Sequence, residues 1–260
     1  MNVQNLEFLQ SNLKYFGFGD KLNEELEKNM KAQKPDFQLK LEVPRFNSTV
    51  DYTLHFKKSG QTEMYFFNKF DASVRSQERG EGKSQSFFIN KGNGVTAKEA
   101  FNLLEGRSVF KNLLNKEGEK YGAWLKLDFE NTDERGNFRM KQFNGQYGYD
   151  LDRTLANYPI KELSDPEQKK QLLQSLEKGN LQQVTMKQGE KEGKYYIEAI
   201  PQFKNVNVYD QKMHPVRRQN LQTIGQPEAP KQKEGKKQGQ KKEEREQSAK
   251  KQTRKRKLSA

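Results

Sequence analysis

Leu103-Leu104-Glu105-Gly106 closes a helical run, a strand follows, and Lys116-Glu117-Gly118 turns into Tyr121-Gly122-Ala123-Trp124-Leu125. The same order recurs further on. Leu176-Glu177-Lys178-Gly179 closes a helix, a strand follows, and Lys191-Glu192-Gly193 turns into Tyr195-Tyr196-Ile197-Glu198-Ala199. The copies register when the second carries about two extra residues between Gly179 and Gly193. A helix–hairpin unit used twice predicts an α+β fold of antiparallel hairpins and small sheets, each with a packed helix. It points to a binding scaffold rather than a single catalytic pocket.

Each copy opens on a capping pattern. Thr96-Ala97-Lys98-Glu99 starts the first helix, its Thr accepting from the free N–H groups and its Glu returning a bond. Ser164-Asp165-Pro166-Glu167 starts the second in the same way, with Leu172, Leu173 and Leu176 as its buried stripe. The first copy's strands are read at Val109–Leu114, Tyr121–Glu130 and Asn137–Phe143, the second's at Leu181–Met186, Lys194–Ile200 and Asn205–Tyr209. Pro201 lacks a backbone donor and places a turn or bulge over Pro201 to Asn205. Between the copies, Tyr147 to Leu163 is a connector with one helical turn.

N-terminal to the repeat, Asn2 to Met30 reads as two short helices broken near Gly17-Phe18-Gly19, with Leu22, Leu26 and Met30 at helical spacing. Alternation at Phe37, Leu39, Leu41 and Val43, and again at Val50, Tyr52, Leu54 and Phe56, predicts a meander that continues through Met64 to Phe70. Ser73 to Ser86 is polar and charged and reads as a loop, with one more strand at Ser86-Phe87-Phe88-Ile89. The resulting division is residues 1–92, an N-terminal helical pair with its meander; 93–146, the first unit; 147–163, the connector; 164–225, the second unit; and 226–260, a basic tail. That tail is dominated by Gln, Lys, Glu, Gly and Pro, cannot bury enough apolar surface to offset its ordering entropy, and is expected to be disordered.

The chain has 260 residues, 32% apolar and 32% charged, and its 17 Phe and 10 Tyr supply much of the burial capacity. It lacks cysteine, which excludes disulfides and thiolate metal sites and fits the cytoplasm. Met1 to Lys14 shows no apolar signal core and no stretch reaches membrane-spanning length, so no membrane partner is expected. The net charge of +13 is unevenly placed: Gln226 to Ala260 holds 13 Lys and Arg against 5 Asp and Glu, leaving 35 basic and 30 acidic residues elsewhere.

Arg254-Lys255-Arg256-Lys257 is a candidate contact for nucleic-acid phosphates, against the plainer reading of a solubilising terminus. Tyr65-Phe66-Phe67-Asn68-Lys69-Phe70 and Phe87-Phe88-Ile89-Asn90-Lys91 interleave aromatic and basic residues as single-strand binders do, although strand aromatics are more often core. One member of each adjacent pair must face away from the core. Arg75, Arg79 and Lys83 are candidates for a phosphate-contacting flap. Catalytic patterns are thin: His55 and His214 lie far apart in sequence, and Asp128, Glu130, Asp150, Asp152 and Asp210 match no defensible magnesium motif. No cofactor, metal or catalytic residue is assigned.

The stretch Glu198-Ala199-Ile200-Pro201-Gln202-Phe203-Lys204-Asn205-Val206-Asn207-Val208-Tyr209-Asp210 is the most distinctive. Together with Tyr15-Phe16-Gly17-Phe18-Gly19, Leu54-His55-Phe56-Lys57-Lys58-Ser59 with Met64-Tyr65-Phe66-Phe67-Asn68, Leu104-Glu105-Gly106-Arg107-Ser108-Val109 with Lys116-Glu117-Gly118, and Tyr147-Gly148-Tyr149-Asp150, it resembles an uncharacterised family of bacterial proteins, a domain of unknown function encoded chiefly on conjugative and integrative elements of gut Bacteroidetes. The resemblance implies a mobile-element accessory role near DNA-processing and transfer genes, and carries no catalytic or binding residues. The expected function is non-enzymatic: non-specific binding of DNA or RNA through the tail and an aromatic, basic sheet face. The alternatives are an adaptor for a conjugation or replication protein and a metal-dependent nuclease.

Overall fold

The leucine spacing of the N-terminus produces two short helices. α1 (Val3–Tyr15) buries Leu6, Leu9 and Leu13, and the Asn2 side chain accepts the Asn5 N–H at its start. α2 (Asn23–Lys31) buries Leu26 and Met30, with Leu22 buried just ahead of it. The structure is a computed structural model that describes residues 1–45, 47–76, 82–188, 191–217 and 221. The 226–260 tail, expected to be disordered, lies outside the described residues.

Four antiparallel strands follow as a meander: β1 (Asp36–Arg45), β2 (Ser48–Lys58), β3 (Tyr65–Ser76) and β4 (Lys83–Phe88), in the order β1-β2-β3-β4. The expected loop over Ser73 to Ser86 is corrected at both ends, since β3 continues to Ser76 and β4 begins at Lys83. Ser73, Arg75, Ser84 and Ser86 occupy the outward positions of strands whose inward positions are Ala72, Val74, Lys83, Gln85 and Phe87. A half-open sheet makes such a stretch look loop-like.

β3 contains a change of phase. Tyr65 and Phe67 point to the core, and so do Phe70, Ala72 and Val74, although the two sets differ in parity. A regular strand would expose one set. The register shifts between His55 and Phe56: Phe56 faces Phe67, His55 faces Lys69, and Asn68 is the extra residue. This bulge returns both aromatic sets to one side. It leaves Phe67 and Phe87 buried but Phe66 48% and Phe88 53% exposed.

The first repeat unit is α3 (Ala97–Leu104) with β5 (Val109–Leu114), β6 (Lys120–Thr132) and β7 (Phe138–Asn144). Its capping box forms as read from the sequence: Thr96 Oγ1 accepts the Glu99 N–H, and Glu99 Oε2 accepts the Thr96 N–H at 2.7 Å. After a short α4 (Leu151–Leu155), the second unit is α5 (Pro166–Glu177) with β8 (Gln182–Gln188), β9 (Lys191–Ile200) and β10 (Asn205–Tyr209). Here Asp165 rather than Ser164 is the cap, accepting the Gln168 N–H with Pro166 at the first helical position. Pro201 to Phe203 makes a turn of 3-10 helix before β10. Both units are three-stranded antiparallel meanders, and the architecture is α+β.

The two cores share the middle sheet. Successive residues of β6 alternate sides, so Leu125 and Leu127 join a cluster with α1, α2, α3 and the first sheet. Trp124 turns the other way and joins α4, α5 and the third sheet, with its ring 5.5 Å from Tyr149 and 5.6 Å from Phe110. α3 touches both the first and middle sheets, so the apolar cluster runs unbroken across residues 92 and 93. Met1–Ile224 is one compact unit.

The N-terminal module repeats the helix-then-meander order as well. α2, α3 and α5 each pack on the first strand that follows, and all three end in one hydrogen-bond pattern. The N–H groups of Ala32, Gln33 and Lys34 bond to Lys28, Met30 and Asn29; those of Glu105, Gly106 and Arg107 bond to Phe101, Leu103 and Asn102; those of Lys178, Gly179 and Asn180 bond to Gln174, Leu176 and Ser175. This is the Schellman end, with one residue in the left-handed region. In α2 that residue is Gln33 at φ 53°, which hides the third instance from a search for glycine.

Candidate nucleic-acid interface

The helices cover one face of the first sheet and leave the other polar. Its outward residues lie in rows across the strands. Asp36, Lys57 and Phe66 form one row, and Gln38, His55, Lys69 and Phe88 the next. Lys40, Thr53, Asp71 and Ser86 form the third, and Glu42, Asp51, Ser73 and Ser84 the fourth. The first two rows bring both exposed phenylalanines beside two lysines. A hollow of about 300 Å³ opens there, lined by His55, Lys57, Asn68, Lys69 and Phe88 among others. One strand spacing and one row along separate Phe66 from Phe88, roughly 8 Å between Cα positions.

Polar bonds hold the floor of this face. His55 Nε2 lies 2.5 Å from Asp71 Oδ2, and Gln38 Nε2 lies 3.3 Å from the other ring nitrogen. The Ser86 hydroxyl donates to Asp71, and Lys69 Nζ lies 3.3 Å from the same carboxylate. Burial pushes the Asp71 carboxyl up, but the bonds from Ser86 and His55 and the charges of His55 and Lys69 outweigh it and hold it below the ordinary carboxylate value. Ser86 bonds to the aspartate rather than to the histidine, so the three groups make a structural brace and not a nucleophile with its base. Lys57 is exposed, and among the described residues it has no ion-pair partner.

The residues named from sequence fall in several places. Arg75 stands on β3, not in a flap, and spends its guanidinium on Asp51 at 2.7 Å and Glu42 at 3.3 Å. Lys83 points inward from β4 and sets its ammonium 3.8 Å from the centre of the Phe129 ring. Arg79, Arg254, Lys255, Arg256 and Lys257 lie outside the described residues. Phe66, Phe88 and Lys69 come together on the outer face, one aromatic of each adjacent pair facing away from the core while Phe67 and Phe87 are core. Lys57 and His55 join them as outward residues of β2, a placement that the strand's alternation makes legible in the sequence.

The carboxylates do not converge. Asp128 is held below the usual range by hydrogen bonds from Lys141 and Asn131, Asp150 caps α4, Asp152 pairs with Lys169, and Asp210 closes the turn at His214. Among the described residues no three His, Asp or Glu side chains group as a metal site requires. Among them, too, no helix is long and apolar enough to cross a membrane. No protein-family model matches the chain, and neither a curated protein nor a solved structure matches it.

Proposed function

We propose that this protein is a non-enzymatic accessory protein of the cytoplasm that binds single-stranded nucleic acid on the open face of its first sheet. Phe66 and Phe88 stack bases, and Lys57 and Lys69 take the phosphates. The basic run Arg254 to Lys257 adds salt-sensitive, sequence-independent attraction. The observation that supports this most is the exposure of one phenylalanine from each adjacent pair, 48% and 53%, on an otherwise polar face beside the lysines. Apolar rings left in water on a face that the bulge has otherwise cleared of apolar groups make sense as stacking platforms. The family resemblance supplies the mobile-element context.

The test is a salt-titrated binding assay of the full chain with an unstructured oligonucleotide. Stacking on an aromatic ring is worth about 1–3 kcal/mol per base, so Phe66→Ala with Phe88→Ala weakens binding at least tenfold. Neutralising Arg254 to Lys257 flattens the salt slope without abolishing binding. Unchanged affinity in the double phenylalanine variant refutes the sheet-face reading. The adaptor reading draws on a different observation: α1 exposes Phe8 at 63% and Tyr15 at 66%, two turns apart on one face. Capture of one protein partner that Phe8→Ser and Tyr15→Ser abolish, with nucleic-acid binding absent, favours it.

A further inference from the structure

On the helix side of the first sheet, away from the open face, four cations gather around α3. Arg45 ends β1, Lys98 and Phe101 lie on α3, Arg107 follows it, and Lys178 ends α5. The Arg45 and Arg107 guanidiniums each lie 5.4 Å from the centre of the Phe101 ring. Asn102 ties Lys178 to this group, donating to its carbonyl at 2.6 Å and accepting from Arg107 at 2.7 Å. Among the described residues none of the four cations closes an ion pair, whereas Arg75, Lys111, Lys141, Lys161 and Lys169 all do. Glu105 and Glu198 face Arg107 without reaching that distance. Arg45 Nε is buried and, among the described residues, has no hydrogen-bond partner.

Grouping like charges costs free energy unless something answers them. A purely structural role accounts for Arg107, which donates to the Gly179 carbonyl at 2.9 Å and so caps α5. Arg45 likewise has a structural partner, since its side chain bonds the buried Tyr52 hydroxyl; a structural role does not account for the exposed Lys98 and Lys178. We infer that Arg45, Lys98, Arg107 and Lys178 form a second site, which takes a phosphate-bearing anion. Its phosphate oxygens would accept from the Arg45 guanidinium and from the two ammonium groups, while Phe101, flanked by both guanidiniums, keeps them in place. Partial desolvation and the charges of Arg45, Lys178 and Arg107 together push the exposed Lys98 ammonium below the ordinary lysine value, a repulsion that an arriving anion would relieve. The same chemistry serves a free oligophosphate or a nucleic-acid backbone.

Two probes separate those sources: inorganic tripolyphosphate and a twelve-nucleotide oligothymidylate. Both are titrated into the full chain carrying R254Q, K255Q, R256Q and K257Q, so that tail charge does not mask the site. Adding Lys98→Gln with Lys178→Gln, both at exposed positions that the fold does not need, is expected to weaken tripolyphosphate binding about tenfold. Lys116→Gln with Lys120→Gln removes equal charge from the β5–β6 turn and changes it less than twofold. If the oligothymidylate loses affinity in the same variant, the ligand is a nucleic-acid backbone; if it does not, the ligand is a free oligophosphate. The titration of Lys98 followed by NMR should also move upward when tripolyphosphate binds. Equal effects of the two lysine pairs, or no tripolyphosphate binding at low salt, overturn the site.

Discussion

Gly179→Ala tests the packing between the two repeat units. Gly179 lies in the left-handed region at φ 75°, and a Cβ added there would stand 2.8 Å from the Ser108 carbonyl oxygen, 2.9 Å from Val109 Cγ2 and 3.1 Å from Asn102 Cβ. The backbone conformation alone costs an alanine about 1 kcal/mol. Moving α5 aside to relieve the overlap stretches three bonds at once, Arg107 to the Gly179 carbonyl and Asn102 to both Lys178 and Asn180. Overpacking of this kind costs about 1–3 kcal/mol, which brings the total to about 3 kcal/mol. For a unit of this size that lowers the midpoint of thermal unfolding by roughly 6–12 °C. Gly136→Ala is the matched control, with φ 79° and nothing within 4 Å of the added carbon, so it bears the backbone cost without the overlap. Urea and thermal unfolding followed by circular dichroism read both variants. If Gly179→Ala falls within about 0.5 kcal/mol of Gly136→Ala, the helix ends are not packed as described and the reasoning fails.

Buried charges and hydroxyls give further consequences open to direct measurement. Glu99 is buried, and its Oε2 accepts both the Thr96 N–H at 2.7 Å and Lys111 Nζ at 3.1 Å; Glu99→Gln keeps an acceptor for the cap but leaves Lys111 without its counter-charge, so urea unfolding should show a loss of about 1–3 kcal/mol, and an unchanged midpoint would contradict the pair. Tyr52 is buried and donates to the Ala97 carbonyl, and burial, only partly offset by Arg45, pushes its phenol up to about 12. Since the unfolded chain ionises near pH 10, the stability held by the neutral phenol is complete below pH 10 and is lost as pH rises towards 12. Tyr52→Phe should therefore flatten the alkaline decline in stability; a decline of wild-type steepness would contradict the assignment. Asp71 has the opposite sign. Its carboxyl is held low, so the stability it lends is present above about pH 4 and lost as pH falls below that value.

Local signals carried most of the elements. Thr96 with Glu99, the glycines that close α3 and α5, and the alternating strands are short-range features whose geometry depends on residues a few positions apart, and the structure places them as the repeat implied. The loop read over Ser73 to Ser86 failed because an outward polar residue looks the same in a strand as in a loop; what distinguishes them is the covering of the inner face, which comes from helices distant in sequence. The third helix-then-meander unit is hidden in the sequence for a related reason, since Gln33 adopts a left-handed conformation without the glycine that would announce it.

By itself, the sequence determined the α+β class, the duplicated unit, the absence of thiol chemistry and the concentration of positive charge in the tail. It also required that one of Phe66 and Phe67, and one of Phe87 and Phe88, face away from the core, because adjacent strand residues alternate. Only the tertiary structure decided which. The bulge at Asn68 resets the phase of β3 so that both aromatic sets reach one core, and that choice exposes Phe66 beside Lys57 and Phe88 beside Lys69. Likewise only the packing of the end of β1 and the end of α5 around α3 brings Arg45, Lys98, Arg107 and Lys178 together. Those residues come from four separate stretches of chain, and their proximity follows from how helices and sheets pack, which no local pattern encodes.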